Sequence, residues 1–310
     1  MQKGTIKAIV LIVVFVVALE IFGHLTNHTN EDLTREMADA TLPVISLYQD
    51  DMELGELHGY STEMDAAYMR DGIIPIGDDR KLPITIQTYQ TAVDAISYEI
   101  RSLDAERLIA NADVTSYDEA KGKISAELTI QNLLTEGQEY LLIIQLESGD
   151  SSIYYYTRII EFTDAHVQDC VEFVKDFNNK TFNSETVGSL ATYMEKTTED
   201  NTNLHYVTLN SSLNQVGWGD FAGERLTDPI VSVKEITDTY NVIVLQYVVT
   251  STGTGGEMEY YNVEEYYRVR YTSSRIYLLN FEREMNQIFR GENESIYQDY
   301  IELGIRSGNV

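Results

Sequence analysis

Residues 139–161 read EYLLIIQLESGDSSIYYYTRIIE, two runs rich in Ile, Leu and Tyr joined by Ser148-Gly149-Asp150. Apolar and polar side chains in each run follow a period close to two, which predicts strands with one buried face, and the polar Gly-containing joint predicts a turn. Runs of the same kind occur upstream at 43–48, 84–88, 95–101 and 123–130. Short strands separated by polar turns predict a β-sandwich over residues 41–162.

One segment of this region departs from the strand pattern. Residues 59–82 contain Gly72, Pro75, Gly77 and Asp78-Asp79, which interrupt regular structure. We therefore expect a long surface excursion here.

The pattern changes after residue 162. Thr163 or Asp164 suits a helix N-cap, and apolar residues then recur with helical spacing at Val167, Cys170, Val171, Val174 and Phe177. A second helix is predicted over 184–194. Strands are predicted afterwards at 204–209, 230–236, 242–250, 258–271 and 276–283, with a hairpin turn at 272–275. The sequence thus predicts an α+β domain over residues 163–290, with two helices on a twisted antiparallel sheet.

The N-terminal segment Ile6–Phe22 is apolar except for Lys7 and Glu20. This composition predicts one transmembrane helix through residues 6–23, and the basic residues before it predict a cytoplasmic N-terminus with an extracellular bulk. The predicted division is a tip and anchor at 1–25, a stalk at 26–40, and a tail or the start of a further region at 291–310. A cleaved signal peptide is the alternative, although small residues suited to cleavage are lacking.

Fifty acidic residues against 22 basic ones give a net charge of -28. This charge repels nucleic-acid phosphate, so we expect no nucleic-acid partner. Other proteins of the cell envelope and the membrane itself are the expected partners.

Three resemblances add to this interpretation. The segment Leu134–Tyr140, LTEGQEY, resembles the tyrosine corner of fibronectin type III domains, with Glu136 where proline is common. Two helices followed by a long antiparallel sheet resemble the NTF2-like or cystatin-like fold. The whole chain is similar to the N-terminal region of uncharacterised membrane-anchored extracytoplasmic proteins of anaerobic Firmicutes, through residues 56–60, 139–144 and 285–289. That likeness implies no assigned activity.

No sequence motif points to catalysis, a cofactor or a metal, so none of these roles is assigned to a residue. The single cysteine, Cys170, is either a buried apolar residue or a reactive thiol. The acidic stretch 50–53, with Glu56 and His58, is either a solvated edge or a calcium site without EF-hand spacing. His166 and His205 are the remaining candidates for a general base.

Aromatic residues supply the candidate contacts with a partner or ligand: Trp218, Tyr155, Tyr261 and Tyr267. Ordinary strand packing is the alternative role for the tyrosines. The predicted function is a non-enzymatic interaction or scaffold protein of the bacterial envelope. A ligand- or glycan-binding sensor is the alternative, followed by an envelope hydrolase. An open polar cavity would favour the second or third, and a filled apolar interior the first.

Overall fold

The computed structural model describes residues 7, 11–18, 21–22, 42–89, 91–130, 134–195, 203–253 and 258–288. Among these residues, no helix is long and apolar enough to cross a membrane. The predicted fold class, with a transmembrane helix at Ile6–Phe22, and the predicted single-pass membrane location are therefore wrong.

Contacts between residues divide the chain into two units. The described residues of the first unit are 7, 11–18 and 21–22, which are helical with exposed side chains. The second unit contains everything described from 42 to 288. The predicted stalk at 26–40 and tail at 291–310 lie outside the described residues.

The described chain is mostly β-sheet, and its first ten strands form two five-stranded sheets. Sheet A has the order β2-β1-β4-β8-β7, and its strands are β1 Val44–Gln49, β2 Met52–His58, β4 Lys81–Gln87, β7 Tyr117–Ala120 and β8 Lys123–Thr129. Sheet B has the order β3-β10-β9-β5-β6, and its strands are β3 Ile73–Ile76, β5 Ala95–Arg101, β6 Leu108–Asp113, β9 Glu139–Ser148 and β10 Ser151–Glu161. Pairing is antiparallel within both sheets except for β3, which runs parallel to β10.

Sheets A and B share one hydrophobic core, which is the arrangement of a β-sandwich. Alternate residues of the strands supply that core, as in Ile84 and Ile86 from sheet A and Ile96 and Ile100 from sheet B. Hydrogen bonds also join the sheets, since the buried Tyr155 hydroxyl donates to the carbonyl of Pro43 at 2.7 Å. These strands therefore bury one face each, as their alternation predicts.

Two local predictions for this region have different outcomes. The Tyr140 hydroxyl accepts a hydrogen bond from the Thr135 N–H at 3.1 Å, and the resemblance of this segment to the fibronectin type III corner stays a prediction. The surface excursion at 59–82 is wrong for Ile73–Ile76, which is the buried edge strand β3. Gly72 and Pro75 concealed this strand, because an edge strand tolerates proline where a central one does not.

Residues 163–288 form a helix packed on a third sheet. Helix α1, Val167–Thr181, buries all five residues whose helical spacing predicted it. A 3₁₀ helix at Val187–Thr192 replaces the predicted second α-helix, and a single turn, α2, spans Leu213–Val216. Sheet C has the order β11-β16-β15-β14-β12, with β13 also paired to β14; its strands are β11 Tyr206–Thr208, β12 Gly223–Arg225, β13 Ile230–Ile236, β14 Asn241–Thr252, β15 Met258–Arg270 and β16 Tyr277–Gln287.

Strand β13 joins this sheet to the other two, because it packs against the edge strands β2 and β3. The Arg158 guanidinium on β10 donates to the carbonyl of Lys234 on β13 at 2.6 Å and to the carbonyl of Gly72 at 3.2 Å. The ammonium of Lys234 in turn pairs with Asp71 at 2.7 Å. A cleft described below opens where β2, β3 and β13 meet.

Candidate functional site

The four aromatic residues predicted to contact a partner lie inside the structure. Tyr155 and Tyr267 are fully buried, and Tyr261 and Trp218 are at most 4% exposed. The Trp218 indole N–H donates to the Thr181 hydroxyl at 3.1 Å. None of the four rings therefore offers a face to a partner at the described surface.

Two of these residues belong to a buried polar cluster between α1 and sheet C. Its centre is Glu265, whose carboxylate accepts hydrogen bonds from Tyr247 at 3.0 Å, Tyr267 at 2.6 Å and Asn178 at 2.8 Å. The fully buried Arg283 lies 3.9 Å from the same carboxylate.

Arg283 is also held by its other neighbours. It donates to the backbone carbonyls of Gln215 and Val216 and stacks 3.7 Å from the ring centre of Trp218. Burial raises the pKa of Tyr247 and Tyr267 well above the usual tyrosine range and lowers the pKa of Arg283. Because protein groups occupy the polar positions around Glu265, the cluster is built for packing rather than for binding a substrate.

A cleft of about 490 Å³ opens at the junction of β2, β3 and β13. Its floor is apolar and includes the buried side chains of Leu47, Leu54 and Ile74. Its mouth carries polar and aromatic side chains from the 59–72 segment. A volume of this size is typical of small-molecule sites, which combine an apolar lining with a few polar groups.

Three tyrosines surround the mouth of the cleft. Tyr68 follows a short 3₁₀ turn and is 84% exposed, and Tyr60 packs edge-on against Tyr156 with ring centres 5.9 Å apart. The Tyr156 hydroxyl accepts a hydrogen bond from the Met64 N–H at 2.8 Å, which ties the 59–72 segment to sheet B, and burial raises the pKa of Tyr156. The exposed rings of Tyr60 and Tyr68 can stack on the apolar face of a ligand.

The charged groups of the cleft are mostly paired with one another. His58 lies 3.5 Å from Glu56, and Asp71 is paired with Lys234. Arg70 instead donates to the carbonyls of Ala67 at 2.6 Å and Leu103 at 2.8 Å, and no carboxylate in the described part of the chain pairs with it. The cleft thus carries nearly balanced charge although the whole chain carries -28.

The remaining candidates from the sequence occupy separate places. Asp50 accepts from Gln168 at 2.8 Å and Glu53 from Tyr48 at 3.3 Å, and no three metal-ligating side chains of the described residues share a metal-sized site. His166 stacks on Tyr271, whereas His205 bonds to the carbonyl of Met285. The structure does not bring the two histidines together with a nucleophile.

Sequence reasoning missed Tyr60 and Tyr68 because both lie in the segment predicted as an excursion. Their only signal in the sequence is the presence of aromatic residues in a long polar connection. No family model matches this chain, and no curated protein matches it.

Proposed function

We propose that this protein is a ligand-binding module that engages a saccharide in the cleft between β2, β13 and the 59–72 segment, without chemistry of its own. The observation that carries the proposal is the cleft of about 490 Å³ with three tyrosines at its mouth. Tyrosine faces stack on the apolar faces of sugar rings, and the flanking carboxylates and guanidinium supply hydrogen-bonding groups.

The balanced charge of the cleft supports a neutral ligand. The negative net charge of the chain would repel an anionic polymer, whereas it neither attracts nor repels a neutral sugar. Between α1 and sheet C, by contrast, the Glu265 carboxylate accepts its hydrogen bonds from Tyr247, Tyr267 and Asn178.

A panel of neutral disaccharides tests the proposal by NMR titration of the full chain. We expect shifts confined to residues around the cleft and a dissociation constant in the micromolar-to-millimolar range. Tyr68→Ala should weaken binding by about tenfold, because a stacked ring contributes on the order of 1 kcal/mol or more. Tyr89→Ala, which removes another exposed tyrosine outside the cleft, should leave the affinity unchanged. An equal effect of both variants, or shifts elsewhere, contradicts the proposal.

A further inference from the structure

Within the described part of the chain, strand β10 lacks a neighbour along part of one edge. Tyr154 exchanges two backbone hydrogen bonds of 2.9 Å with Tyr60 on that edge. Four residues later, the Arg158 N–H donates to the carbonyl of Gly72 at 3.1 Å, where the pairing with β3 begins. The strand positions between these two contacts face the cleft.

The backbone groups of Tyr156 point toward this gap. In an antiparallel strand, alternate residues direct their N–H and C=O to the same side. The N–H and C=O of Tyr156 therefore point to the same side of β10 as those of Tyr154. On the other side of the strand it faces Ile143 of β9 in a position where no hydrogen bonds are exchanged. Nothing in the described part of the chain bonds to the N–H or C=O of Tyr156 in the gap. Tyr156 is only 9% exposed, so an amide here requires a partner from a ligand or from water.

The gap is too short for an added strand. From Tyr154 to Arg158 the strand advances about 13 Å, and Tyr60 and Gly72 already occupy both ends of that distance. An extended peptide would need several residues in register and would collide with them. A single carbonyl group on a compact ligand fits opposite Tyr156.

The apolar floor of the cleft determines which chemical group of the ligand can lie beside that carbonyl. Leu47, Leu54 and Ile74 border the cleft with hydrocarbon only and are at most 1% exposed, and the partly exposed side chains of Leu57 and Met69 line it as well. A hydroxyl placed against them would lose its hydration without gaining a hydrogen bond, whereas a methyl group would not. Carbonyl and methyl together describe an acetyl group.

We propose, resting on the saccharide-binding function above, that the ligand carries an N-acetyl group that this cleft recognises. The acetyl carbonyl accepts the Tyr156 N–H, and its methyl packs on Leu54 and Ile74. A neighbouring hydroxyl of the sugar donates to the Tyr156 carbonyl, and the ring stacks on Tyr68. The ligand class is therefore a neutral N-acetylated saccharide.

The experiment compares two disaccharides with the same linkage, N,N′-diacetylchitobiose and cellobiose, by isothermal titration calorimetry on the full chain. Cellobiose has hydroxyls in place of both acetamido groups. We expect diacetylchitobiose to bind at least about tenfold more tightly, since cellobiose leaves the Tyr156 N–H without a carbonyl and desolvates a hydroxyl. NMR should show the Tyr156 amide resonance moving with the acetylated sugar.

A glycine pair supplies the variants. Gly72→Ala adds a methyl group 3.4 Å from the Thr157 hydroxyl, an ordinary contact beside the gap, and should reduce the preference for diacetylchitobiose. Gly188→Ala adds a methyl in open space and should change neither affinity. Tyr68→Ala should weaken both sugars by the same factor, because the stacking ring does not distinguish them.

The outcomes separate the two proposals. Equal affinities for both sugars, each weakened by Tyr68→Ala, overturn the acetyl inference and leave the saccharide function standing. Binding of neither sugar in the cleft overturns both. A peptide that moves the Tyr156 amide when both sugars fail also overturns both proposals and replaces the saccharide with a peptide ligand.

Discussion

Glu265 is the centre of the buried polar cluster between α1 and sheet C. Its carboxylate accepts from two tyrosines and one asparagine, and it is the only carboxylate in the described part of the chain paired with the buried Arg283. Buried charges are expensive to leave unpaired. The pair is therefore best tested by removing one charge while keeping the shape of the side chain.

Glu265→Gln should lower the free energy of unfolding by about 3–5 kcal/mol, because Arg283 then stays buried without a counter-charge. Urea unfolding followed by circular dichroism measures this change. Glu264→Gln is the matched control, since Glu264 is exposed on the neighbouring position of β15. Equal midpoints of urea unfolding for the two variants would show that the buried pair of Glu265 and Arg283 adds nothing to the free energy of unfolding.

Buried tyrosines predict a loss of stability in alkali. Burial raises the pKa of Tyr155, Tyr247 and Tyr267 in the folded chain, whereas a tyrosine in the unfolded chain titrates near pH 10. Above that pH the unfolded chain binds fewer protons than the folded one. The contribution of these tyrosines to the free energy of unfolding is therefore fully present below pH 10. It is lost as the pH rises toward the pKa values of the tyrosines in the folded chain.

The slope above pH 10 should be about 1.4 kcal/mol per pH unit for each such tyrosine. Tyr155→Phe should reduce this slope by the contribution of one tyrosine, because the hydroxyl of Tyr155 donates only to the carbonyl of Pro43. Unfolding measured between pH 9 and pH 11.5 gives the slope. Tyr68→Phe, at an exposed position, should leave it unchanged, and a change of equal size there would refute the assignment.

Among the elements, periodicity predicted those whose neighbours are close in sequence. Helix α1 and the β15–β16 hairpin follow from local spacing, and the structure confirms both. Strand β3 was missed because its partner, β10, lies more than 80 residues away and its own sequence contains proline. The short strands β6 and β7 were missed because few of their residues are buried, which leaves no alternating pattern to read.

Gly59, the residue between β2 and the Tyr60–Tyr154 bridge, is an element boundary where substitution meets a close contact. A Cβ there would lie 2.6 Å from Ile153 and 2.8 Å from the Tyr155 hydroxyl. Gly59→Ala should therefore cost about 1–3 kcal/mol of stability through overpacking and displace Tyr60 from the cleft. Thermal unfolding measures this loss of stability, and Gly188→Ala, where the added methyl group meets open space, is the control. Similar midpoints of thermal unfolding for the two variants would show that the end of the strand accommodates the added methyl group without loss of stability.

At the scale of the whole molecule, Arg158 connects the sheets. Its guanidinium reaches Glu139, Gly72 and Lys234, which belong to sheet B, the 59–72 segment and sheet C. Because these contacts bridge the parts, the described region from 42 to 288 should unfold in one calorimetric transition. The domain boundary predicted at residue 162 stays a prediction.

Arg158→Ala should lower the midpoint by at least about 3 °C and broaden or split the transition, since hydrogen bonds to a charged group are lost at the junction. Differential scanning calorimetry gives both quantities. Arg101→Ala is the matched control, because Arg101 pairs with Glu99 and the Ala105 carbonyl within sheet B only. Transitions of the same shape in both variants would contradict a bridging role.

The cleft could not be predicted from sequence at this scale. Its walls come from β2, the 59–72 segment and β13, which are separated by up to about 180 positions in the chain. The decisive feature is a strand edge left without a neighbour, and a backbone gap has no signature in side-chain composition. Three of the four aromatic residues named from the sequence, Tyr155, Tyr261 and Tyr267, lie in strands that bury them, and Trp218 is buried in the turn after α2.

Cys170, the one cysteine of the chain, belongs to the buried face of α1, where the Asn241 amide donates to its sulfur at 3.4 Å. Burial also raises the pKa of the Cys170 thiol, so the folded protein presents no thiolate to a reagent. Modification by a disulfide reagent then requires α1 to separate from sheet C. The rate of that single reaction, followed by absorbance under native conditions, reports how often the helix opens and at what free energy, without any engineered label.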